Sequence, residues 1–341
     1  MDYLQEKLAC YNKLLDERLR QIVKPQPPAK ALYQMMAYHF GWLNRNLEPV
    51  HDNCGKRVRP FICLLVCESL TGSPAAALPG ALAVELIHNF SLVHDDIEDA
   101  SLLRRRRPTV WAVWGMPQAV NVGDGLFTLA HLALTDGTLE PGQARDSVRL
   151  LARTCRDLCE GQFLDLTMRT GPDPGLPQYL AMAERKTGAL FGCAAKLGAI
   201  MGGAPDGVIT ALGDFGLAIG EAFQMQDDIL GVWGDETVTG KPALDICERK
   251  LGIPAVLAWQ RAEPADLARL SALYSRPAPL DAGEESWIRG LFERLGARAQ
   301  AEAMVQERLR RAEKLLDEAL AGAPMSRELH DFISLITTRD G

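Results

Sequence analysis

Apolar residues recur every three or four positions along almost the whole chain, which is the spacing that buries one face of an α-helix. Segment 76–98 places Leu82, Leu86 and Phe90 at such steps, and segment 207–233 repeats the pattern. No run alternates apolar and polar residues in the way that predicts a β-strand. Proline and glycine interrupt the pattern at points that suit helix ends. The sequence therefore predicts an all-α fold of about a dozen helices.

The length of 341 residues exceeds the ~250–300 residues at which a single hydrophobic core usually stops growing. Composition nevertheless does not change along the chain, and no repeat of about 20–50 residues is present. The longest polar joint is 234–250, GDETVTGKPALDICERK, and joints of that length are usually functional or disordered. We predict one all-helical domain over residues 1–341.

The charge balance excludes some classes of partner. The chain has 37 Lys and Arg against 44 Asp and Glu, a net charge of −7, so general attraction to nucleic acid or to an anionic membrane is not expected. No stretch approaches the ~20 apolar residues that cross a bilayer, and the charged start, MDYLQEKLAC, lacks the layout of a signal peptide. We expect a cytoplasmic protein with reduced cysteines, no nucleic-acid partner and no stable membrane insertion.

Paired aspartates follow two strongly apolar segments. Asp95 and Asp99 are four residues apart, with Asp96 between them, and Asp227 and Asp228 repeat the arrangement. Helical spacing puts the first two on one face, and carboxylates that face one cavity repel each other unless a cation lies between them. Oxygen ligands favour Mg²⁺ or Ca²⁺. Either group alone could be a solvated helix end, but their recurrence favours two aspartate clusters facing each other above an apolar cavity.

Basic residues lie close to both aspartate clusters in the sequence. Because the whole chain is acidic, these cations suggest a polyanionic ligand bridged by metal, and arginine suits phosphate oxygens in particular. A solvated basic patch is the alternative for the run of four arginines. The basic residues are Lys56, Arg57, Arg59, Arg104, Arg105, Arg106, Arg107, Lys186, Lys241 and Lys250.

Seven motifs in chain order identify a family. They are GKRVRP, HDDIEDASLLRRRRPT, VGDGLF, GQFLD, KTGALF, FQMQDDIL and GKPALDICERK. Together they resemble the trans-isoprenyl diphosphate synthases, the head-to-tail polyprenyl synthetases of isoprenoid biosynthesis, over residues 30–260. The resemblance implies an isoprenoid-synthase-type fold, a single large helical bundle around a central apolar cavity. It also implies a homodimer, dependence on Mg²⁺, and two substrates, isopentenyl diphosphate and an allylic prenyl diphosphate.

The resemblance further implies roles for single residues. The diphosphate of isopentenyl diphosphate would be held by Lys56, Arg59, His88 and Arg105. Mg²⁺ on the allylic diphosphate would be bound by Asp95, Asp99 and Asp227, with Asp96 and Asp228 in support. The same allylic substrate would be contacted by Arg104, Lys186, Thr187, Gln224, Lys241 and Lys250. The implied catalytic set is the five aspartates with Arg104, Lys186 and Lys241.

The implied reaction begins with ionisation of an allylic C–O bond. Cations placed where the diphosphate gains negative charge stabilise the transition state, and the apolar cavity excludes water from the carbocation. A terpene cyclase on the same fold and a non-catalytic partner subunit are the alternatives. A cyclase does not need the isopentenyl diphosphate residues, which are Lys56, Arg59, His88 and Arg105. A non-catalytic subunit would be expected to lose acidic or basic groups. Chain elongation is therefore favoured.

Three positions depart from the pattern of the family. Gly231 stands where many relatives have a third aspartate, Arg106 where a glycine is common, and Trp111 where a histidine is common. Because Gly231 removes only the outermost carboxylate, we expect weaker water-mediated support of the metal and not its loss.

Product length is expected to depend on Phe90. This residue lies five positions before Asp95, which is ~7–8 Å of helix rise, so its ring could close the floor of the tail pocket while Ser91 leaves room. Packing in the core is the alternative role for Phe90. Bulk at this position resembles synthases that stop at C20. We predict geranylgeranyl diphosphate as the main product, with the C15 farnesyl diphosphate as the nearest alternative.

Overall fold

A computed structural model describes residues 2–50, 55–136, 139–168, 175–235, 243–320 and 326–337. These residues are helical almost throughout, so the prediction of an all-α fold is confirmed. A 3₁₀ turn at Ala75–Ala77 and a π-helical turn at Glu184–Gly188 interrupt the α-helices. The helices are α1 (Asp2–Ile22), α2 (Lys30–His39), α3 (Val58–Thr71), α4 (Leu78–Glu98), α5 (Val110–Trp114), α6 (Met116–Ala133), α7 (Pro141–Met168), α8 (Leu176–Ala183), α9 (Ala189–Met201), α10 (Asp206–Trp233), α11 (Ile253–Arg261), α12 (Pro264–Ser275), α13 (Ala282–Arg294), α14 (Ala297–Ala319) and α15 (Ser326–Thr337).

The chain divides into two compact units. The first unit comprises Met1–Arg153, Cys193–Ile209 and Ala323–Glu328, and the second comprises Thr154–Gly192, Thr210–Gly322 and Leu329–Gly341. A single domain over residues 1–341 stays a prediction.

Helix α4 is the core element of the first unit, where it packs against α3 and α6. Its residues from Gly80 to Ile87 are all buried, and so are those of α3 from Pro60 to Cys67. Pro79 lies in the first turn of α4, where its missing N–H would have no helical partner in any case. The helix ends at Glu98, so its buried apolar length holds the polar residues that follow it in a fixed position.

Among the described residues, one helical segment is long and apolar enough, by length and mean hydropathy, to cross a membrane. It is Ala75–Glu98, with a hydropathy of 1.4, and 61% of that window is buried inside the protein. The expectation that no segment reaches this level was therefore wrong. The burial is that of a core helix, because α3 and α6 already cover its apolar faces.

A two-stranded hairpin, which the sequence did not predict, follows α4. Strands β1 (Leu103–Arg104) and β2 (Arg107–Pro108) pair antiparallel, with Arg104 opposite Arg107. The two turn residues, Arg105 and Arg106, have φ of 51° and 63°. A two-residue turn with positive φ at both positions matches the twist of a hairpin, but it usually contains Asn or Gly. The strands are too short to produce an alternating pattern, and the arginine pair carries no turn signal.

In the second unit, α10 lies directly against the π-helical turn. A Cβ atom added to Gly220 of α10 would lie 2.6 Å from the Cα atom of Gly188. Glycine at both positions therefore permits the close approach of the two backbones. The next helices are fixed by their own contacts: Asp281 and Glu284 form a capping box at the start of α13, and Arg308 of α14 pairs with Glu221 of α10 at 2.5 Å.

Lys7 of α1 joins three elements of the first unit. Its Nζ atom lies 2.6 Å from Glu68 Oε2 of α3 and 2.7 Å from Glu328 Oε2 of α15. The Tyr11 hydroxyl also donates to Glu68, at 2.5 Å. The Lys7 side chain is 8% exposed, so the ion pairs are largely shielded from water.

Lys7→Met should lower the free energy of unfolding by about 2 kcal/mol, because it leaves two shielded carboxylates without their cation. Urea unfolding measures the change. Lys314→Met is the matched control, since Lys314 is 78% exposed and pairs only weakly with Glu318 at 3.9 Å. Equal stability of the two variants would contradict a stabilising role of Lys7.

Candidate active site

The first aspartate cluster, Asp95, Asp96 and Asp99, forms the end of α4. The Asp99 N–H donates to the Asp95 carbonyl oxygen at 2.8 Å, so these two residues are one helical turn apart on one face. Asp95 is half-buried and Asp99 is exposed, whereas Asp96 is buried. Arg104 Nε of β1 donates to Asp96 Oδ1 at 2.8 Å, and burial raises the pKa of Asp96 to about 6.

The second aspartate cluster, Asp227 and Asp228, lies on α10 and likewise combines an outer aspartate with a buried one. Asp227 is exposed and Asp228 is buried. Asp228 accepts hydrogen bonds from the Tyr179 hydroxyl at 2.6 Å and Gln224 Nε2 at 2.8 Å, and from the Ile253 N–H at 2.9 Å. Burial raises the pKa of Asp228 to about 7.

In each pair the first aspartate therefore reaches solvent and the second is held inside the protein. A buried carboxylate needs hydrogen bonds to offset its lost hydration. Asp96 obtains one from Arg104, and Asp228 obtains three. The buried aspartates fix the ends of their helices, and the outer ones present oxygen atoms to a ligand.

The donor atoms suit a metal that is held together with a phosphate ligand. Among the residues that the structure describes, no group of three or more His, Cys, Asp or Glu side chains forms a complete metal site. Mg²⁺ commonly takes only one or two carboxylates from the protein and completes its shell with water and substrate phosphates. Asp95 and Asp99 offer oxygen donors on one helix face, and the buried Asp96 Oδ2 has no hydrogen-bond partner within the described ranges. These residues fit Mg²⁺.

The structure brings together three of the four residues predicted to bind isopentenyl diphosphate, namely Arg59, His88 and Arg105. Arg59 Nη1 of α3 lies 3.4 Å from His88 Nε2 of α4. A Cβ atom added to Gly55 would lie 2.8 Å from Arg105 Nη2, so the guanidinium of Arg105 covers the residue next to Lys56. Burial and the charges of Arg59 and Arg105 lower the pKa of His88 well below its usual value. The imidazole of His88 is thus neutral although arginine charges surround it.

Arg57 anchors the segment that carries these residues. It precedes α3 with a φ of 46°, and its side chain is buried. Its Nη1 atom donates to the Asn12 carbonyl oxygen at 2.9 Å, and Nη2 donates to Asp16 at 2.7 Å. Both partners belong to α1, which therefore holds the start of α3 in place.

The residues predicted to contact the allylic substrate in the second unit form a chain of hydrogen bonds. Thr187 Oγ1, in the π-helical turn, donates a hydrogen bond to Gln224 Oε1 at 2.6 Å. Gln224 Nε2 in turn donates to Asp228 Oδ1 at 2.8 Å. Lys186, in the same turn, pairs with Asp165 at 2.6 Å. Single π-helical turns occur frequently at functional sites.

Comparison with known proteins gives the family of the chain. The family model described as polyprenyl synthetase matches residues 41–286. The chain belongs to the polyprenyl synthetase family. The predictions of this family, of its all-α fold and of a trans-prenyltransferase are confirmed.

Similar proteins include synthases of two product lengths. A geranylgeranyl diphosphate synthase of Mycobacterium tuberculosis is 40% identical over 85% of this chain and 82% of its own length. A (2E,6E)-farnesyl diphosphate synthase of the same organism is 39% identical over 78% and 73%. The crystal structure of a polyprenyl synthetase from Streptomyces coelicolor A3(2) is 33% identical, covers 95% of this chain and 96% of that chain, and has a TM-score of 0.88.

Two of the three departures from the family pattern lie in or beside the hairpin, at Arg106 and Trp111. Arg106 occupies the second positive-φ position of the hairpin, which is where a glycine is favoured. The Trp111 indole N–H donates to the Ser101 carbonyl oxygen at 2.8 Å. Trp111 therefore stabilises the segment between the first aspartate cluster and the hairpin.

The third departure, Gly231, is coupled to Asp245. A Cβ atom at Gly231 would overlap the Asp245 carboxylate, and the Asp245 N–H donates to the Gly231 carbonyl oxygen at 3.1 Å. Lys250 Nζ lies 3.2 Å from Asp245 Oδ1 and 2.9 Å from Glu248 Oε2. An acidic side chain thus occupies the space beside Gly231, although it comes from another part of the sequence.

The two residues predicted to control product length, Phe90 and Ser91, lie on α4. Phe90 is half-buried, and its ring meets His94 at 4.8 Å and Phe127 of α6 at 5.3 Å between centroids. The Ser91 hydroxyl donates back to the His88 carbonyl oxygen at 2.9 Å. Lys241 lies outside the described residues. The role of Phe90 as the floor of a pocket stays a prediction.

Sequence reasoning missed Asp165, Tyr179 and Asp245 as partners of predicted site residues. Asp165 belongs to the motif GQFLD, and Asp245 belongs to GKPALDICERK, so both could have been assigned from the motifs themselves. Tyr179 has no such signal, because its contact with Asp228 joins residues 49 positions apart.

Gly231→Asp should lower the free energy of unfolding by about 1–3 kcal/mol, because the new side chain must displace the Asp245 carboxylate from a packed site. Thermal unfolding measures the change. Gly290→Asp is the matched control, since a Cβ atom at Gly290 of α13 meets nothing within 4 Å. The double variant Gly231→Asp, Asp245→Gly should recover part of the loss. A single variant as stable as the control would show that the site is not sterically limited.

Proposed function

We propose that this protein is a Mg²⁺-dependent enzyme that condenses isopentenyl diphosphate with an allylic prenyl diphosphate to a short-chain all-trans product. Its main product is geranylgeranyl diphosphate (C20). The observation that carries the proposal is the grouping of Arg59, His88 and Arg105 in the unit that also holds the first aspartate cluster. A terpene cyclase needs no second diphosphate pocket, so this grouping favours chain elongation.

Separate groups of residues bind the two substrates. Lys56, Arg59 and Arg105 bind the diphosphate of isopentenyl diphosphate, and His88 donates to it as a neutral imidazole. Arg104, oriented by Asp96, and Lys186, oriented by Asp165, bind the allylic diphosphate. The predicted contacts of Thr187, Gln224, Lys241 and Lys250 belong to this second group.

Metal completes the allylic site. Asp95, Asp99 and Asp227 would hold Mg²⁺, with Asp96 and Asp228 in support. When bound, Mg²⁺ supplies positive charge to the diphosphate oxygens as the allylic C–O bond ionises. No side-chain nucleophile is required, because the double bond of isopentenyl diphosphate attacks the cation and the released diphosphate accepts the proton.

Product length depends on the residues that close the floor of the tail pocket. Phe90 sits one and a half turns before Asp95, and Phe127 supports its ring from α6. Two aromatic rings in this position favour a closed floor and a C20 product. Farnesyl diphosphate is the second candidate, since a farnesyl diphosphate synthase is almost as similar to this chain as a geranylgeranyl diphosphate synthase.

The protein forms a homodimer and is located in the cytoplasm. The partner that the family resemblance favours is a second copy of this chain. Met116 and Val120, one turn apart on α6, are 54% and 39% exposed, and large apolar side chains on one helix face suit such a contact. No disulfide joins the cysteines that the structure describes, which suits a reducing compartment.

Incubation of the enzyme with isopentenyl diphosphate, Mg²⁺ and a C5, C10 or C15 primer, followed by mass analysis, tests the reaction. Asp95→Ala should lower turnover by at least about 10²-fold with the fold intact, because it removes charge stabilisation needed mainly in the transition state. Asp146→Ala, which removes an exposed carboxylate of α7, is the control. Near-normal turnover of Asp95→Ala would reject the metal site.

Phe90→Ala should shift the products to chains longer than C20, because it opens the floor of the tail pocket. Phe90→Leu keeps most of the bulk and should retain the C20 product. Chromatography of dephosphorylated products measures the distribution. An unchanged product profile of Phe90→Ala, or a wild type that makes chiefly C30 or longer chains, would contradict the floor model.

A further inference from the structure

Tyr274 carries a buried hydroxyl that none of the assigned roles explains. The residue lies in the last turn of α12, and its Oη atom is shielded from solvent. Among the residues that the structure describes, this atom has no hydrogen-bond partner. Buried polar atoms without a partner are rare in native proteins, and each one calls for a physical reason.

Contacts from two other elements fix the position of this tyrosine. The indole of Trp259, on α11, meets the Tyr274 ring edge to face, with 4.7 Å between the centroids. Arg249 Nε donates to the carbonyl oxygen of Leu273, the residue before Tyr274, at 3.0 Å. The end of α12 is therefore tied to the polar segment that leads to Lys250, and the tyrosine ring has a fixed place beside that segment.

Tyr274 lines a small cavity of the second unit. The polar side chains that line this cavity with it are Asp228, Asp245 and Lys250. Burial, followed by the charge of Asp245, raises the pKa of Tyr274 above its ordinary value. A phenol that stays protonated can donate a hydrogen bond, and an ionised carboxylate is a strong acceptor for it. Asp245 is therefore a suitable acceptor, although the hydroxyl is not bonded to it in the free protein.

In the free protein, Asp245 is paired with Lys250 instead. The Lys250 Nζ atom lies 3.2 Å from Asp245 Oδ1. The lysine side chain is 44% exposed and the aspartate side chain only 18%, so the lysine can turn towards a ligand while the carboxylate stays inside. Asp228, the other carboxylate of the cavity, already accepts three hydrogen bonds.

Release of Lys250 would leave Asp245 as a largely buried carboxylate without this cation. Such a group is unfavourable unless another donor replaces the lost partner. The Tyr274 hydroxyl lines the same cavity, is neutral and has no partner to give up. It can therefore replace the lysine without breaking another hydrogen bond.

We propose that Tyr274 is a positioning residue, which donates a hydrogen bond to the Asp245 carboxylate when Lys250 turns from Asp245 to the allylic diphosphate. This proposal rests on the proposed function, which assigns Lys250 to that substrate. In the free protein the ion pair holds the lysine and the hydroxyl is unused. In the complex the hydroxyl takes the place of the lysine, so the lysine charge is released to the diphosphate at a smaller loss of free energy.

Titration calorimetry of the full-length enzyme with the C10 primer geranyl diphosphate and Mg²⁺, without isopentenyl diphosphate, tests this exchange of partners. Tyr274→Phe should raise the dissociation constant about tenfold, because the complex lacks a hydrogen bond to a charged group. The melting temperature of the free variant should equal or exceed that of the wild type, since the lost hydroxyl has no partner there. Tyr3→Phe is the matched control, because it removes the hydroxyl of a tyrosine that is 60% exposed.

A double-variant cycle with Lys250→Met separates the exchange from an independent effect on packing. Lys250→Met alone should also weaken the binding of geranyl diphosphate. In this background the Tyr274 hydroxyl can donate to Asp245 with or without substrate, so adding Tyr274→Phe should change the dissociation constant by less than twofold. The added substitution should lower the melting temperature instead, because the hydrogen bond is then present in the free protein.

Three results would overturn the role of Tyr274. The first is a Tyr274→Phe variant that binds geranyl diphosphate within twofold of the wild type. The second is a loss of affinity that is as large in the Lys250→Met background as in the wild type. The third is an equal rise of the KM values for isopentenyl diphosphate and for the primer, since the exchange concerns only the allylic site.

The proposed function and the role of Tyr274 fail in different ways. A wild type that binds geranyl diphosphate with Mg²⁺ but forms no longer prenyl product would contradict the proposed function, and calorimetry of the variants would still decide the role of Tyr274. A wild type that elongates prenyl chains, with unchanged affinity in Tyr274→Phe, would contradict only the role of Tyr274. A wild type that does not bind geranyl diphosphate would contradict both.

Discussion

Asp96 and Asp228 are carboxylates with almost no exposed surface, and each is stabilised by hydrogen bonds from outside its own helical turn. Arg104 reaches Asp96 from the hairpin, while Tyr179 and the Ile253 N–H reach Asp228 from elements before and after α10. A buried charge without such partners would be strongly unfavourable. The position of the outer aspartates therefore depends on contacts that the inner ones make.

Three basic residues of the predicted allylic site are each paired with a carboxylate. Lys186 is paired with Asp165, Lys250 with Asp245 and Arg104 with Asp96. Carboxylates that hold a cation before the substrate arrives restrict its side-chain freedom, so less entropy is lost on binding. These carboxylates also balance the positive charge that Lys186, Lys250 and Arg104 bring to the site. Beside Arg59 and Arg105 the neighbouring carboxyl group is the buried Glu85, and the imidazole of His88, whose pKa lies well below its usual value, adds no positive charge.

Helical periodicity predicted the helices that carry the site, because α4 and α10 bury broad apolar faces and end in polar clusters. The motifs predicted which residues of each unit come together, including Arg59 with His88 and Thr187 with Gln224. The hairpin and the π-helical turn could not be predicted, since neither leaves a periodic pattern. Contacts such as Tyr179 with Asp228 and Gly231 with Asp245 depend on tertiary packing, which no local signal encodes.

The hairpin tip has a consequence for how rigidly Arg105 is presented. Two consecutive arginines adopt left-handed backbone angles there, which costs a non-glycine residue roughly 1 kcal/mol or more. A glycine would relieve this strain, but it would also widen the range of backbone angles open to the tip. Arginine at position 106 therefore restricts the backbone angles of the turn more than glycine would. The turn has few alternative conformations, and this restricts the directions that the guanidinium of Arg105 can take.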